Sequence, residues 1–105
     1  MSEIKKMMPV MLRHEGDWDG SYVHLDIDGH VIDSHRAQLS CSFPDSGPYP
    51  YYQINRYTWN NGKKEEIHFP GTYKDKRVWF DNERIFGSVW ELDSRSLVLT
   101  WTRKD

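Results

Sequence analysis

The chain has 105 residues, of which 37% are hydrophobic and 29% are charged, a balance typical of a single globular domain. Its formal net charge is −2, and Lys and Arg are interspersed with Asp and Glu, which argues against nucleic-acid binding through phosphate contacts. No segment approaches the ~18 apolar residues of a membrane-spanning helix, so no membrane partner is expected. The lone Cys41 excludes a disulfide within the chain and favours a reducing, cytoplasmic location.

Residues 1–15 are predicted to form an N-terminal arm. Residues 3–14 could hold a short helix or an irregular segment, because Pro9 limits any helix here to a turn or two. Several apolar side chains of the arm could cap one end of the fold, namely Met7, Met8, Met11 and Leu12. The alternative is an arm that packs only loosely against the rest of the chain.

Seven strands are predicted after this arm, because apolar residues alternate there with polar ones. They cover residues 20–27, 31–43, 51–59, 64–73, 77–81, 84–92 and 96–103. Asp28 with Gly29, and Asn61 with Gly62, predict two-residue type I′ hairpin turns. Residues 44–50 contain three Pro and predict a rigid loop, and Gly71 after Pro70 predicts a bulge or corner.

This pattern predicts an all-β fold, in which residues 16–105 form an antiparallel up-and-down meander that curls into a barrel or half-barrel. A closed barrel of this kind usually has eight or more strands. Strand seven is therefore predicted to end as an unpaired edge, which the N-terminal arm or a second copy would cover. We expect a homodimer through this edge.

A tryptophan bracketed by two glycines precedes the first strand. Gly16 and Gly20 allow sharp bends on either side of Trp18. The pattern predicts that the indole folds under the sheet and plugs the closed end of the barrel.

The motif Gly16-x-Trp18-x-Gly20-x-Tyr22, together with the meander, resembles the calycin superfamily of lipocalins and their intracellular relatives. Longer runs are similar to a bacterial, largely cyanobacterial, lipocalin-like family of unknown function. They are CSFPD at 41–45, GPYPYYQ at 47–53, NRYTW at 55–59, EEIHFP at 65–70 and LTW at 99–101. The resemblance covers roughly residues 9–105 and implies a lipocalin-like barrel that lacks the C-terminal strands of such families. It implies no settled activity.

Aromatic side chains from several strands could line one cavity and hold a flat, conjugated ligand. The tryptophans in question are Trp59, Trp79, Trp90 and Trp101. His35, Asn55 and Tyr57 share the parity of apolar neighbours and could orient such a ligand, whereas Arg36 and Arg56 have the opposite parity and are expected outside. The alternatives are a filled core without a cavity, and polar residues that only satisfy one another.

Glu66 and His68 form the best candidate acid–base pair, because residues two apart on a strand share one face about 7 Å apart. The carboxylate could raise the pKa of the imidazole and select its tautomer, as proton transfer requires. The alternative is a solvated strand face. The five His show no metal-ligand spacing and no phosphate-binding loop occurs, so neither a metal nor a cofactor is expected.

Three functions are compatible with these features. The first is a binding protein for a hydrophobic small molecule. The second is an isomerase, cyclase or pigment-lyase-type enzyme that uses the barrel lumen as its active site. The third is an interaction module whose open seventh strand pairs with a partner strand.

Overall fold

A computed structural model describes residues 3–104 of the chain. Two short helices are followed by seven strands: α1 (Glu3–Met7), α2 (Pro9–Leu12), β1 (Gly16–Leu25), β2 (Val31–Ser42), β3 (Tyr51–Thr58), β4 (Lys64–Lys74), β5 (Arg77–Asp81), β6 (Ile85–Glu91) and β7 (Leu97–Arg103). The strands form one antiparallel sheet in the order β1-β2-β3-β4-β5-β6-β7. The predicted all-β meander is confirmed, and the largest difference in strand bounds is the start of β1 at Gly16 instead of residue 20.

The sheet curls strongly but does not close on itself. Each strand pairs only with its neighbours in the chain, so β1 and β7 are the two edges of the described sheet. The result is a half-barrel with one concave and one convex face. The prediction of an open edge at strand seven is confirmed for residues 97–103.

A row of alternating aromatic residues and glycines crosses the concave face from β3 to β7. The residues that pair across neighbouring strands are Tyr51, Gly71, Phe80, Gly87 and Trp101, in that order. Each glycine leaves room for the ring beside it, since a methyl group at Gly71 would lie 2.8 Å from Val78 Cγ1 and 3.2 Å from the Tyr51 ring. Alternation of large and small residues lets the sheet curl tightly here.

The two helices close one end of the half-barrel. Ile4, Met8 and Met11 belong to the main hydrophobic cluster and are each at most 3% exposed. The backbone N–H groups of Val10 and Met11 both donate to Glu91 Oε2 of β6, at 2.6 and 2.9 Å. The arm therefore packs firmly against the sheet, and its predicted capping role is confirmed for Met8 and Met11.

The prediction that Trp18 plugs the closed end is wrong. Its side chain lies on the concave face of β1, is 50% exposed, and donates from Nε1 to the carbonyl oxygen of His14 at 2.9 Å. The helices already fill the closed end with Ile4 and Met8, so no volume remains there for an indole.

The turn types also differ from the expected ones. Gly29 and Gly62 have positive φ, but the Asp28 and Asn61 residues before them do not, so neither turn is type I′. Both are longer turns, in which the N–H of the glycine donates to a carbonyl three residues earlier. A two-residue turn with both φ angles positive instead joins β4 and β5 at Asp75 and Lys76. No bulge interrupts the β3–β4 register at Gly71, where β4 begins to pair with β5.

Candidate functional site

The concave face of the sheet encloses a groove of about 1120 Å³. The helices close one end, which we call the lower end; the end near the β1–β2 and β3–β4 turns is the upper end. Trp18 on β1 and Trp101 on β7 are each about half exposed, so the groove is open along the side between the two sheet edges. Its volume slightly exceeds the usual range for small-molecule sites, about 300–1,000 Å³.

The lower and middle parts of the groove are apolar. Met11, Phe80 and Val89 form the lower wall, and Leu39, Ile67 and Leu99 line the middle. These side chains offer contact area without hydrogen-bond donors or acceptors. A ligand that reaches this depth must itself be apolar, because a buried polar atom without a partner costs free energy.

A row of polar side chains crosses the groove along β3. Tyr51 Oη donates to Gln53 Oε1 at 2.7 Å, Gln53 Nε2 donates to Asn55 Oδ1 at 2.8 Å, and Asn55 Nδ2 donates to Tyr57 Oη at 2.8 Å. The four side chains lie on one face because successive members are two residues apart on the strand. Within residues 3–104, the hydroxyl proton of Tyr57 has no side-chain acceptor.

His35 lies at the upper end of the groove inside an aromatic cluster. Its side chain is 6% exposed and its Nδ1 lies 3.0 Å from Asp33 Oδ2. Its ring centroid is 4.4 Å from that of Trp59, 5.0 Å from that of Tyr57 and 5.4 Å from that of Tyr22. His35 Nε2 has no hydrogen-bond partner among the described side chains.

Asp33 holds this cluster together. Its Oδ1 accepts from Trp59 Nε1 at 3.0 Å, while its Oδ2 faces His35 and also lies 3.5 Å from His24 Nδ1. Partial burial pushes the pKa of Asp33 upward, but the hydrogen bonds from His35 and Trp59 outweigh it, so the pKa lies below its usual value. Asp33 is therefore a carboxylate at neutral pH, and it places the Nδ1 proton of His35 on its own side of the ring.

Four further titratable groups of the groove are uncharged or paired with one another. Burial raises the pKa of Tyr22 and of Cys41, so both stay protonated at neutral pH. At the upper rim, Arg84 Nη1 donates to Glu65 Oε1 at 2.8 Å, which joins the β5–β6 turn to β4.

The structure brings four of the predicted ligand-binding residues together and separates two from them. His35, Asn55, Tyr57 and Trp101 all line the groove. Trp79 and Trp90 instead lie on the convex face, because the concave positions of β5 and β6 are held by other residues, among them Val78, Phe80 and Val89. On that face the Arg77 guanidinium lies 4.5 Å from the Trp90 ring and 5.9 Å from the Trp79 ring.

The predicted acid–base pair is formed, but on the convex face. His68 Nε2 lies 2.9 Å from Glu66 Oε2, and Arg56 Nε donates to Glu66 Oε1 at 2.9 Å. Hydrogen bonds from His68 and Arg56 hold the pKa of Glu66 below its usual value. Arg56 and Arg36 both point away from the groove, in agreement with their parity. Proton transfer by Glu66 and His68 would thus take place on the open surface.

Three residues at the site were not among those predicted from the sequence: Asp33, Gln53 and Tyr22. Asp33 and His35 have the same spacing as Glu66 and His68, an acid and a histidine two residues apart on a strand. That spacing is the signal that could have found Asp33. Gln53 could have been found from its shared parity with Asn55.

The described residues contain one group of three potential metal ligands, Asp26, Asp28 and His30, in the β1–β2 turn. Asp26 Oδ1 accepts from the backbone N–H groups of Asp28 and His30, so the turn itself accounts for the cluster.

Neither described helix is long and apolar enough to cross a bilayer.

Comparison with known proteins adds no identification. No family model, curated protein or solved structure matches this chain significantly. The candidate function therefore depends on the groove itself.

Proposed function

We propose that the groove binds a flat, largely apolar small molecule that carries a polar group at one end. The observation that carries this proposal is the groove of about 1120 Å³, which is lined by many aromatic side chains and which the rest of the described chain leaves open. An apolar concavity with a few convergent polar groups is the usual form of a small-molecule site. The packed-core alternative would need side chains that fill this volume.

The distribution of polar groups gives the ligand a direction. Its apolar body lies in the lower and middle groove, against Phe80, Leu39 and Leu99. Its polar end lies at the upper end, where Tyr57 Oη has a proton to donate and His35 Nε2 has a lone pair to offer. The aromatic rings of Trp59 and Tyr57 favour a planar group there.

Fluorescence of the tryptophans tests the proposal directly. Three of the five Trp line the groove, and two lie on the convex face. Titration with flat aromatic ketones, fatty acids and conjugated polyenes should quench the groove tryptophans. Trp101→Phe should lose part of the ligand-induced quenching, whereas the matched variant Trp79→Phe should keep all of it. The proposal fails if no compound of the panel changes the emission, or if the two variants respond alike.

The proposal also concerns the assembly, family and location of the chain. In this proposal a second copy pairs with the open β7 edge. The curled meander supports membership of the lipocalin-like calycins. The buried, unpaired Cys41 supports a cytoplasmic location. Pairing at β7 would cover Leu99 and Trp101, which are each about half exposed. A monomeric mass in light scattering at micromolar concentration, with rapid hydrogen exchange at the β7 amides, would contradict the dimer.

A further inference from the structure

We propose that the upper end of the groove is a proton-transfer site for a ketone or enone, with His35 as the base and Tyr57 as the donor to the carbonyl oxygen. This inference rests on the proposed binding function and adds an activity to it. It concerns residues on the concave face, whereas the acid–base pair expected from the sequence, Glu66 with His68, lies on the convex face.

His35 has the tautomer that a base requires. Its Nδ1 donates to Asp33 Oδ2 at 3.0 Å, so the lone pair resides on Nε2, which has no partner among residues 3–104. The side chain is 6% exposed, and an unpaired ring nitrogen at that depth is a costly group unless a ligand uses it. Asp33 is a positioning residue, because it acts through His35: it holds the Nδ1–H group, and it would stabilise the imidazolium that forms when Nε2 takes up a proton.

Tyr57 is the terminal donor of a hydrogen-bonded chain. Tyr51, Gln53 and Asn55 each donate to the next side chain along β3, and the last bond ends on Tyr57 Oη. Bonds that all point one way polarise one another and strengthen the final donor. The remaining proton of Tyr57 is therefore available to a carbonyl oxygen, and it becomes a stronger partner when that oxygen gains negative charge.

The two groups are close enough to act on one substrate. The ring centroids of His35 and Tyr57 are 5.0 Å apart with an interplanar angle of 79°, and both residues line the groove. A ketone that bonds to Tyr57 through its oxygen would therefore lie beside the His35 ring, where general-base catalysis requires its α-carbon to be. Trp59 and Tyr22 pack around His35 and hold its ring in place.

The reaction balances without a co-reactant. His35 Nε2 takes a proton from the carbon next to the carbonyl, and the C–H electron pair forms a carbon–carbon double bond. The carbonyl π pair moves onto oxygen, where Tyr57 donates a hydrogen bond to the enolate. If the imidazolium exchanges its proton with solvent before it reprotonates the same carbon, the result is hydrogen exchange; transfer of the proton to the γ-carbon of a β,γ-enone gives the conjugated isomer.

The test uses 2-acetylnaphthalene as a probe, with deuterium uptake at its methyl group followed by NMR in D₂O. The wild-type protein should accelerate uptake above buffer and above free imidazole at the same concentration. His35→Gln should lower the protein-dependent rate by roughly 10²–10⁴-fold, and Tyr57→Phe by roughly 10²–10³-fold. His30→Gln and Tyr49→Phe are matched controls on exposed surface and should keep the wild-type rate.

Fluorescence titration with the same ketone separates the two proposals. If the ketone binds but the wild-type protein does not accelerate exchange, the proton-transfer site is refuted and the binding function stands. If Tyr57→Phe binds the ketone and exchanges it as fast as wild type, the role of Tyr57 is refuted. Absence of binding by the ketone, as by the whole ligand panel, would remove the binding function on which the inference rests.

The positioning role of Asp33 has a spectroscopic test. In Asp33→Asn, the single amide oxygen would serve Trp59 and the NH₂ group would face His35 Nδ1, which forces the proton onto Nε2. The imidazole ¹⁵N shifts should therefore change from the Nδ1–H to the Nε2–H tautomer, and exchange should fall. Unchanged ¹⁵N shifts would contradict this role. Asp19→Asn, on the convex face beside Arg36, is the matched control.

Discussion

The glycine on β6 offers the sharpest test of how the sheet is built. An added Cβ at Gly87 would lie 2.3 Å from the backbone oxygen of Thr100 and 2.7 Å from Trp101 Cβ. These atoms belong to the neighbouring strand, so no side-chain rotation relieves the clash. Forcing a methyl group into a packed site costs about 1–3 kcal/mol. We expect Gly87→Ala to lower the free energy of unfolding by that amount.

Gly20 on β1 is the matched control, because it is also a strand glycine on the concave face. An added Cβ there meets nothing within 4 Å, and neither glycine has positive φ. Gly20→Ala should therefore be neutral or stabilising by up to about 1 kcal/mol, since alanine has less conformational freedom to lose on folding.

Urea unfolding followed by circular dichroism gives both free energies under the same conditions. Hydrogen exchange adds a local readout: the clash at Gly87 pushes on β7, an edge strand, so β7 amides should lose more protection than β3 amides. The reasoning is refuted if Gly87→Ala unfolds within about 0.5 kcal/mol of Gly20→Ala, or if β3 and β7 lose protection equally.

Three further predictions concern the closed end, acid stability and the thiol. Met8→Ala should lower the unfolding free energy by about 2–5 kcal/mol. Met7→Ala, at an exposed position, should change it by no more than about 0.5 kcal/mol in the same urea titration. His68 and Arg56 lower the folded-state pKa of Glu66, so the stability that this carboxylate contributes is complete above its ordinary pKa of 4.5 and disappears as the pH falls through the folded-state pKa. Below pH 4.5 the wild type should therefore lose more unfolding free energy than Glu66→Gln. Parallel plots of unfolding free energy against pH for the two proteins would contradict this. Cys41, buried and with a raised pKa, should react with a thiol reagent far more slowly than in urea-unfolded chain, and equal rates would refute that.

Part of the candidate site could be anticipated from strand parity. Asn55 and Tyr57 share a face of β3, and His35 shares a face with Ala37 on β2, as the alternation indicates. The opposite parity of Arg36 likewise placed it outside. Parity is a local property of the extended backbone, so it survives whatever the sheet does as a whole.

The two tryptophans on the convex face differ in what parity could have said about them. On β5, Trp79 shares its face with Arg77 and Asp81, whereas Val78 and Phe80 occupy the other face, so alternation could have placed Trp79 outside. On β6 the alternation is mixed, because each face carries both large apolar and small or polar residues. There the enclosed face is decided by tertiary packing, which buries Val89 in the cluster that the helices complete.

The sequence by itself determined the seven strands, their antiparallel order and the open edge at β7, because alternation and turn residues act within a few residues of one another. Tertiary structure decided the rest. It assigned the closed end to Ile4 and Met8 in place of Trp18, and it brought Asp33, His35 and Tyr57 to one end of the groove. These outcomes depend on which face is enclosed and what covers it, and such contacts between distant segments have no local signature.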